Sequence, residues 1–406
     1  MNKQTIAAWC LFDFANSIYY AVIPATIWSA YYATVIVGNE SGQGDLWWGR
    51  VISTSMLVIA VTSPIMGAIA DVIGIRKRLL IAYTLIAVTA TCLLSTVEAG
   101  MVFLGFILSV ISYIGTEGGQ IFYNAYLPEI APPDRRGRVS GWGFAVGYAG
   151  SMMALLMVLP LIQGGHLAPA FLLVGTGFLV FALPAFLWLP ADRPNYQSIL
   201  GVAGAGWRMT RETLRSLRYL PQVRRFLLAY FFYEDGVNTV INTAAVFAAT
   251  TLGFQFAELI GLFATVQLSA LIGAWLWAKP TDVLGPKRVV LIMLVQWAAV
   301  VTLAYFVETK THFFAIAVLA GSGLGAVQAA SRAFMASLIP PGREGEFFGL
   351  YALCGKTASI MGPLVFGMLS SHTGGNQRLS ILSVIAFYVI GGLLLCRVRA
   401  GGPPNR

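Results

Sequence analysis

Apolar residues run along this chain in about twelve stretches of roughly 20 residues, the length at which a helix crosses bilayer hydrocarbon. They cover approximately residues 6–37, 48–70, 79–97, 101–127, 139–162 and 167–189, then 224–250, 256–278, 289–307, 312–339, 347–371 and 379–397. None has the short alternating pattern of a membrane-barrel strand. In lipid, only a helix satisfies the backbone of such a run. The pattern predicts an all-α polytopic membrane protein with twelve transmembrane helices.

The polar positions inside the runs repeat. At a constant offset Gly115 pairs with Gly323, Gln120 with Gln328, Ala125 with Ala333 and Pro133 with Pro341. Gly137 and Gly345, Gly141 and Gly349, and Gly147 and Gly355 continue the series. Further N-terminal, Asp13-x-x-Asn16-Ser17 faces Asp235-x-x-Asn238-Thr239. Apolar composition does not explain matches at Gly, Pro and polar positions, so two pseudo-symmetric six-helix bundles are expected, over 1–190 and 224–406. The polar stretch between them, 191–223, places Arg208, Arg211, Arg215 and Arg218 at helical spacing, with Trp207, Leu214 and Leu217 on another face. It is expected either to lie on an anionic lipid surface as an amphipathic helix or to be a solvated linker.

Composition agrees, at 57% hydrophobic and 11% charged. The net charge of +9 does not mark a nucleic-acid binder, because the cations are distributed by side. All the Lys and Arg except Arg50, Lys310, Arg378, Arg332 and Lys356 fall in termini and loops of one face, which the positive-inside rule makes cytoplasmic together with both termini. The expected setting is the plasma membrane, the inner membrane of a bacterium, with surrounding lipid as a partner and the chain a monomer. Cys10, Cys92, Cys354 and Cys396 sit within apolar runs and form no CxxC pair. His166, His312 and His372 are too scattered for a metal site, and no Walker loop, GxSxG or HExxH occurs. No enzyme, cofactor or metal is expected.

Two short loops are alike. One reads Gly67-Ala-Ile-Ala-Asp71-Val-Ile-Gly74-Ile-Arg76-Lys77-Arg78, the other Thr281-Asp282-Val-Leu-Gly285-Pro-Lys287-Arg288. The Gly allows a tight turn, and the Asp can accept hydrogen bonds from a neighbouring helix N-terminus. The loops resemble the GxLaDrxGrkxxl signature of the major facilitator superfamily, at the same place in each half. The segments Trp9–Ser17, Tyr123-Asn124-Ala125-Tyr126-Leu127-Pro128, Ser140–Tyr148, Tyr233-x-Asp235-Gly236-Val237 and Phe347–Tyr351 resemble its vacuole-effluxer branch, which includes a fungal vacuolar amino-acid effluxer associated with autophagy. The resemblance implies the major facilitator fold, a gating role for Gly67, Asp71, Gly74, Arg76, Lys77, Asp282, Gly285, Lys287 and Arg288, and export.

Charges inside spans cost at least about 2.5–3.5 kcal/mol each and ask for a reason. Asp13, Glu117, Asp235, Arg332 and Lys356 each lie some eight to ten residues from one helix end, about 12–15 Å deep at about 1.5 Å per residue. That is close to mid-bilayer, where such carriers bind solute. Helix one presents Asp13, Asn16, Ser17 and Tyr20 on one face, and helix seven presents Asp235, Asn238, Thr239 and Asn242. These faces either line a pathway or pack helix to helix. Helix four adds Glu117, Gln120 and Asn124, and helix ten adds Gln328 and Arg332. Glu117 or Asp235, desolvated, suits reversible proton binding unless a permanent ion pair claims it. Arg332 and, more weakly, Lys356 offer charge for a substrate carboxylate, a counter-charge, or a snorkelling cation. A cavity with both signs of charge is expected to carry a small polar organic solute, an amino acid or related zwitterion, with protons as coupling ion. A lipid or lysolipid translocase, or a receptor that has lost transport, is the competing expectation.

Overall fold

The computed structural model describes residues 2–38, 43–164, 166–194, 212, 215, 217–254, 256–358, 361–372 and 377–399. Most of the expected amphipathic segment, Trp207, Arg208, Arg211 and Leu214 included, lies outside the described residues. The described elements are all helical. They are α1 (Lys3–Val22), α2 (Gln43–Ile73), α3 (Arg76–Leu93), α4 (Val102–Ala125), α5 (Arg136–Gln163) and α6 (Leu167–Trp188). Then follow α7 (Pro221–Thr251), α8 (Phe256–Leu284), α9 (Pro286–Phe306) and α10 (Lys310–Leu338). The last are α11a (Glu344–Thr357), α11b (Met361–His372) and α12, made of Gln377–Leu382 and Val384–Cys396. Among the described residues, ten segments are long and apolar enough to cross a membrane. With α7 and the two-part α11 they make the twelve-helix fold.

Two runs are less regular than the hydropathy pattern predicts. The first, expected unbroken over 6–37, leaves the α-helix after Val22, resumes at Ile27–Tyr31 and ends in a π-helical turn over Tyr32–Gly38. Pro24 is the cause: it has no N–H, and its ring disfavours helix at the residue before it. The eleventh run is divided into α11a and α11b. Pro363, which donates no hydrogen bond, suits the first turn of the restarted helix.

Two compact units emerge. The first contains Met1–Ile130, Val146–Thr210 and Pro341–Leu350; the second contains Ala131–Ala145, Arg211–Pro340 and Tyr351–Arg406. Inside the first, α1 packs on α6, α3 on α4 and α2 on α4; inside the second, α7 packs on α12, α9 on α10 and α8 on α10. Each pairing of one unit recurs six helices later.

The repeated glycines are the places where backbones meet. A Cβ on Gly115 would lie 2.6 Å from the Ala87 nitrogen, and one on Gly323 would lie 3.2 Å from the Trp297 indole nitrogen. On Gly141 it would lie 2.5 Å from Ala278 Cβ, and on Gly349 2.6 Å from the Ser63 carbonyl. Helix packing without a hydrophobic drive depends on such small residues. Gly141→Ala and Gly349→Ala are therefore each expected to lower the thermal midpoint, by an overpacking cost of about 1–3 kcal/mol. Gly177→Ala in α6, whose Cβ would meet Ile18 at an ordinary 3.6 Å, is expected to keep or raise it. Thermal unfolding of the three variants in one detergent checks the contrast.

Candidate functional site

In the first unit the polar face of α1 lies against α5. Gly147 and Gly150 clear the space: a Cβ on Gly147 would stand 2.8 Å from Ser17 Oγ, and one on Gly150 2.5 Å from the Phe14 carbonyl. Ser151 donates to the Ser17 carbonyl at 3.2 Å. Asp13 is 5% exposed and Asn16 1%, whereas Ser17 and Tyr20 are partly accessible. The Tyr20 hydroxyl is hydrogen-bonded to the carboxylate of Glu117 on α4, itself buried. Gln120 and Asn124, further along α4, are partly accessible. Asn16 stands out, because neither its amide nitrogen nor its oxygen has a hydrogen-bond partner among the described residues. Behind this face Trp9 stacks on Tyr123 at 4.5 Å and donates its indole N–H to the Tyr123 carbonyl at 3.0 Å.

In the second unit the corresponding residues are arranged differently. Asp235, 0% exposed, accepts the Gly362 amide at 3.0 Å on each carboxylate oxygen and also bonds the Met361 amide. It thus caps α11b, where the helix dipole favours an anion. Thr239 is buried and turns its hydroxyl back to the Asp235 carbonyl. Asn238, Gln328 and Lys356 are partly accessible, and Asn242 is exposed. Arg332, 3% exposed, donates from Nε to Ser140 Oγ at 2.9 Å and from a terminal nitrogen to the Ser140 carbonyl at 2.8 Å. Its guanidinium lies 4.1 Å over the Phe144 ring, and Ser140 in turn donates to the Ala329 carbonyl. Arg332 therefore joins α10 to the start of α5.

The two like loops are built on one plan. Gly74 and Gly285 have φ of 71° and 85°, the left-handed turn that glycine takes without strain. Asp71 accepts the amides of Gly345 and Glu346 at 3.0 and 2.9 Å, at the start of α11a. Asp282 bonds the amides of Gly137 and Arg138 at the start of α5. Close approach is possible because Gly67 and Gly345 meet backbone to backbone. Arg76 then bridges Asp71 at 2.9 Å, Glu129 at 3.2 Å and Glu344 at 3.3 Å. In the other loop Arg138 pairs with Asp282 at 3.5 Å, while Glu346 turns to Arg343 at 2.6 Å. Lys77 donates to the Leu187 and Leu189 carbonyls at the end of α6, and Lys287 to those of Cys396 and Val398 at the end of α12.

The residues expected in one charged layer thus divide between the units. Asp13 and Glu117 belong to the first, and Asp235, Arg332 and Lys356 to the second. Glu234, one residue before Asp235 on α7, is buried and acts electrostatically on Tyr230, Tyr233, Tyr351 and Tyr388. The tyrosines at positions 230 and 233, one turn and one residue before it, were the available signal for it in the sequence.

Twelve helices in a repeated arrangement, with carboxylates holding the amides at the start of α5 and α11, define a major facilitator transporter. Solved structures agree on the fold. The human organic anion transporter MFSD10 superposes with a TM-score of 0.75 over 97% of this chain and 98% of its own, at 16% identity. FucP, a major facilitator transporter in its outward conformation, gives a TM-score of 0.76 over 98% of both chains at 14% identity. The family model described as "Vacuole effluxer Atg22 like" matches residues 50–137 and 132–401, so the chain belongs to that family of transporters. Among its relatives is YxiO of Bacillus subtilis, an uncharacterized MFS-type transporter, 28% identical over 96% of this chain and 94% of its own. Autophagy-related protein 22-1 of Emericella nidulans is 28% identical over 58% of this chain, a match spanning 45% of the fungal protein. The fold and family are those of transporters, not enzymes.

Arg332 is expected to act as a fastener of α5. Arg332→Lys keeps the charge but loses the forked donation to Ser140 and the flat stacking on Phe144. It is expected to lower the thermal midpoint about as much as Ser140→Ala does. The double variant should fall short of the sum of the two, because both remove one network. Additive losses would separate Arg332 from Ser140.

Proposed function

We propose that the protein is a secondary transporter that exports a small polar organic solute, an amino acid or related zwitterion, by alternating access coupled to protons. The observation that carries this reading is the accessibility of polar residues inside spanning helices. Ser17, Tyr20, Gln120 and Asn124 in the first unit, and Asn238, Gln328 and Lys356 in the second, are all partly accessible. Polar side chains at that depth are costly against lipid and belong on a wet path. Within the first unit the buried Asp13 and Glu117 supply anionic charge for an ammonium, and within the second unit Lys356 supplies cationic charge for a carboxylate. The unpartnered amide of Asn16 offers one donor group and one acceptor to a polar solute.

Glu117 suits the coupling role because Tyr20, which bonds its carboxylate, is partly accessible. Kinship with effluxers favours export. The basic loops support a reading with both termini cytoplasmic, in a plasma membrane. On that placement, the Asp71 and Asp282 loops act as gates, releasing and recapturing the first amides of α11a and α5 as the carrier cycles.

The test is counterflow of radiolabelled amino acids into liposomes holding the purified protein. Asp13→Asn and Glu117→Gln are expected to lower exchange by at least tenfold while leaving the folded fraction unchanged in size-exclusion chromatography. Wild-type exchange in both variants would rule out this face as the pathway, and exchange of a fluorescent lysolipid alone would make the protein a lipid translocase.

A further inference from the structure

The face just described leaves one buried carboxylate without a task. Glu234 sits on α7, one residue before Asp235, yet the two do different things. Asp235 is held by the amides of α11b, whereas Glu234 is 7% exposed and its Oε2 has no hydrogen-bond partner among the described residues. A carboxylate oxygen that is dry and unbonded is expensive, and such groups persist where something else uses them.

The surroundings of Glu234 are aromatic. Tyr230 and Tyr351 stack at 4.3 Å with 22° between their planes, and Tyr233 stands edge-on to Tyr230 at 5.5 Å. Tyr388 on α12, with its own buried hydroxyl unpartnered, completes the set, and Gly236 gives its ring room. Lys356, in the last turn of α11a, acts electrostatically on Glu234, and Arg332 on Tyr351. The approach of that turn is close, since a Cβ on Gly355 would stand 3.0 Å from the Tyr230 hydroxyl. From Tyr351 to Thr357 every residue of α11a, Lys356 included, is partly accessible.

A buried carboxylate in the neighbourhood of tyrosine rings is the chemistry that recognises an organic ammonium. The Lys356 side chain is itself an alkylammonium tethered to the backbone. We propose that Glu234, Tyr230, Tyr233, Tyr351 and Tyr388 form a primary-ammonium site in the second unit, whose occupancy the nearby charge of Lys356 opposes at rest and which opens to the amine end of the transported solute when Lys356 withdraws. Only the identification of that amine with cargo rests on the proposed transport reading. The pocket stands on the second unit alone.

The experiment uses n-butylammonium, which is the lysine side chain cut free of the backbone, on the full-length protein in detergent. The readout is thermal midpoint in saturating n-butylammonium chloride against equal sodium chloride. Lys356→Ala is expected to gain at least about 2 °C, and wild type less than half of that gain. Glu234→Gln combined with Lys356→Ala is expected to gain nothing, and Tyr351→Leu combined with Lys356→Ala is expected to lose most of the gain. Lys356→Gln serves as a second uncharged variant should the alanine variant fold poorly. No gain in either Lys356 variant, or an equal gain in wild type and in the double variant lacking the carboxylate, overturns the proposal. A missing gain with intact amino-acid exchange refutes the pocket and leaves the transport reading standing. A full gain without exchange supports the pocket and refutes the cargo assignment.

Discussion

Helix ends in an apolar medium leave amide hydrogens and carbonyl oxygens that water is not there to satisfy, and much of this chain is organised around that debt. Four helices begin against a carboxylate brought from elsewhere. Asp71 holds the start of α11a, Asp282 the start of α5, Asp235 the start of α11b, and Asp192 takes the amides of Lys77 and Arg78 at the start of α3. At the opposite polarity, Lys77 and Lys287 sit on the last carbonyls of α6 and α12. Each charge meets the helix pole that favours it. The same bonds that seal these ends also tie together segments remote in sequence, so helix termination and tertiary assembly are one problem here.

The two halves solve it with the same parts and different neighbours. Asp71 and Asp282 are counterparts, as are the glycine pairs that let their target helices come near. Position 138 is an arginine that adds an ion pair to its cap, whereas its counterpart Glu346 has the same sign as Asp71 and is neutralised by Arg343 instead. Arg343, outside the spans, is in turn held above its ordinary range chiefly by the hydrogen bonds to Glu346. Further along, α5 is continuous through Gln163 while α11 divides, and Asp235 caps the new start. Asp13, the counterpart of Asp235, backs onto Gly147 in the middle of an intact helix rather than onto a helix start. One sequence motif therefore yields a helix cap in the second unit and a carboxylate packed against an unbroken helix in the first.

This explains what was legible in the sequence. Helix number and repeat follow from hydropathy and from matched Gly and Pro positions, since both are local consequences of lipid and close packing. The turn glycines 74 and 285 were legible because positive φ leaves little choice of residue. The break after Val22 was marked by Pro24 and hidden by the apolar residues on either side. Charge roles were the least legible. Mid-span depth puts Asp235, Arg332 and Asp13 in one class, but depth is a coordinate along one helix, and what each charge does is set by the element across from it. Ser140 and Phe144, which occupy Arg332, are 192 and 188 residues away in the chain, and no spacing rule reaches that far.

Magnitudes separate the buried charges more sharply than position does. Hydrogen bonds to an ionised group are worth about 1.5–3 kcal/mol each, so the amides around Asp235 and the forked donation of Arg332 offset a desolvation penalty of several kcal/mol per ion. Those two ions are settled, and moving either would cost most of what holds it. Among the described residues, Glu234 has the attraction of Lys356 to set against the same penalty. An ion that is weakly compensated where it rests is the one whose state a solute or a proton changes most cheaply. The working part of such a carrier is thus to be sought among its least satisfied charges, with the well-capped ones forming the frame that keeps them in place.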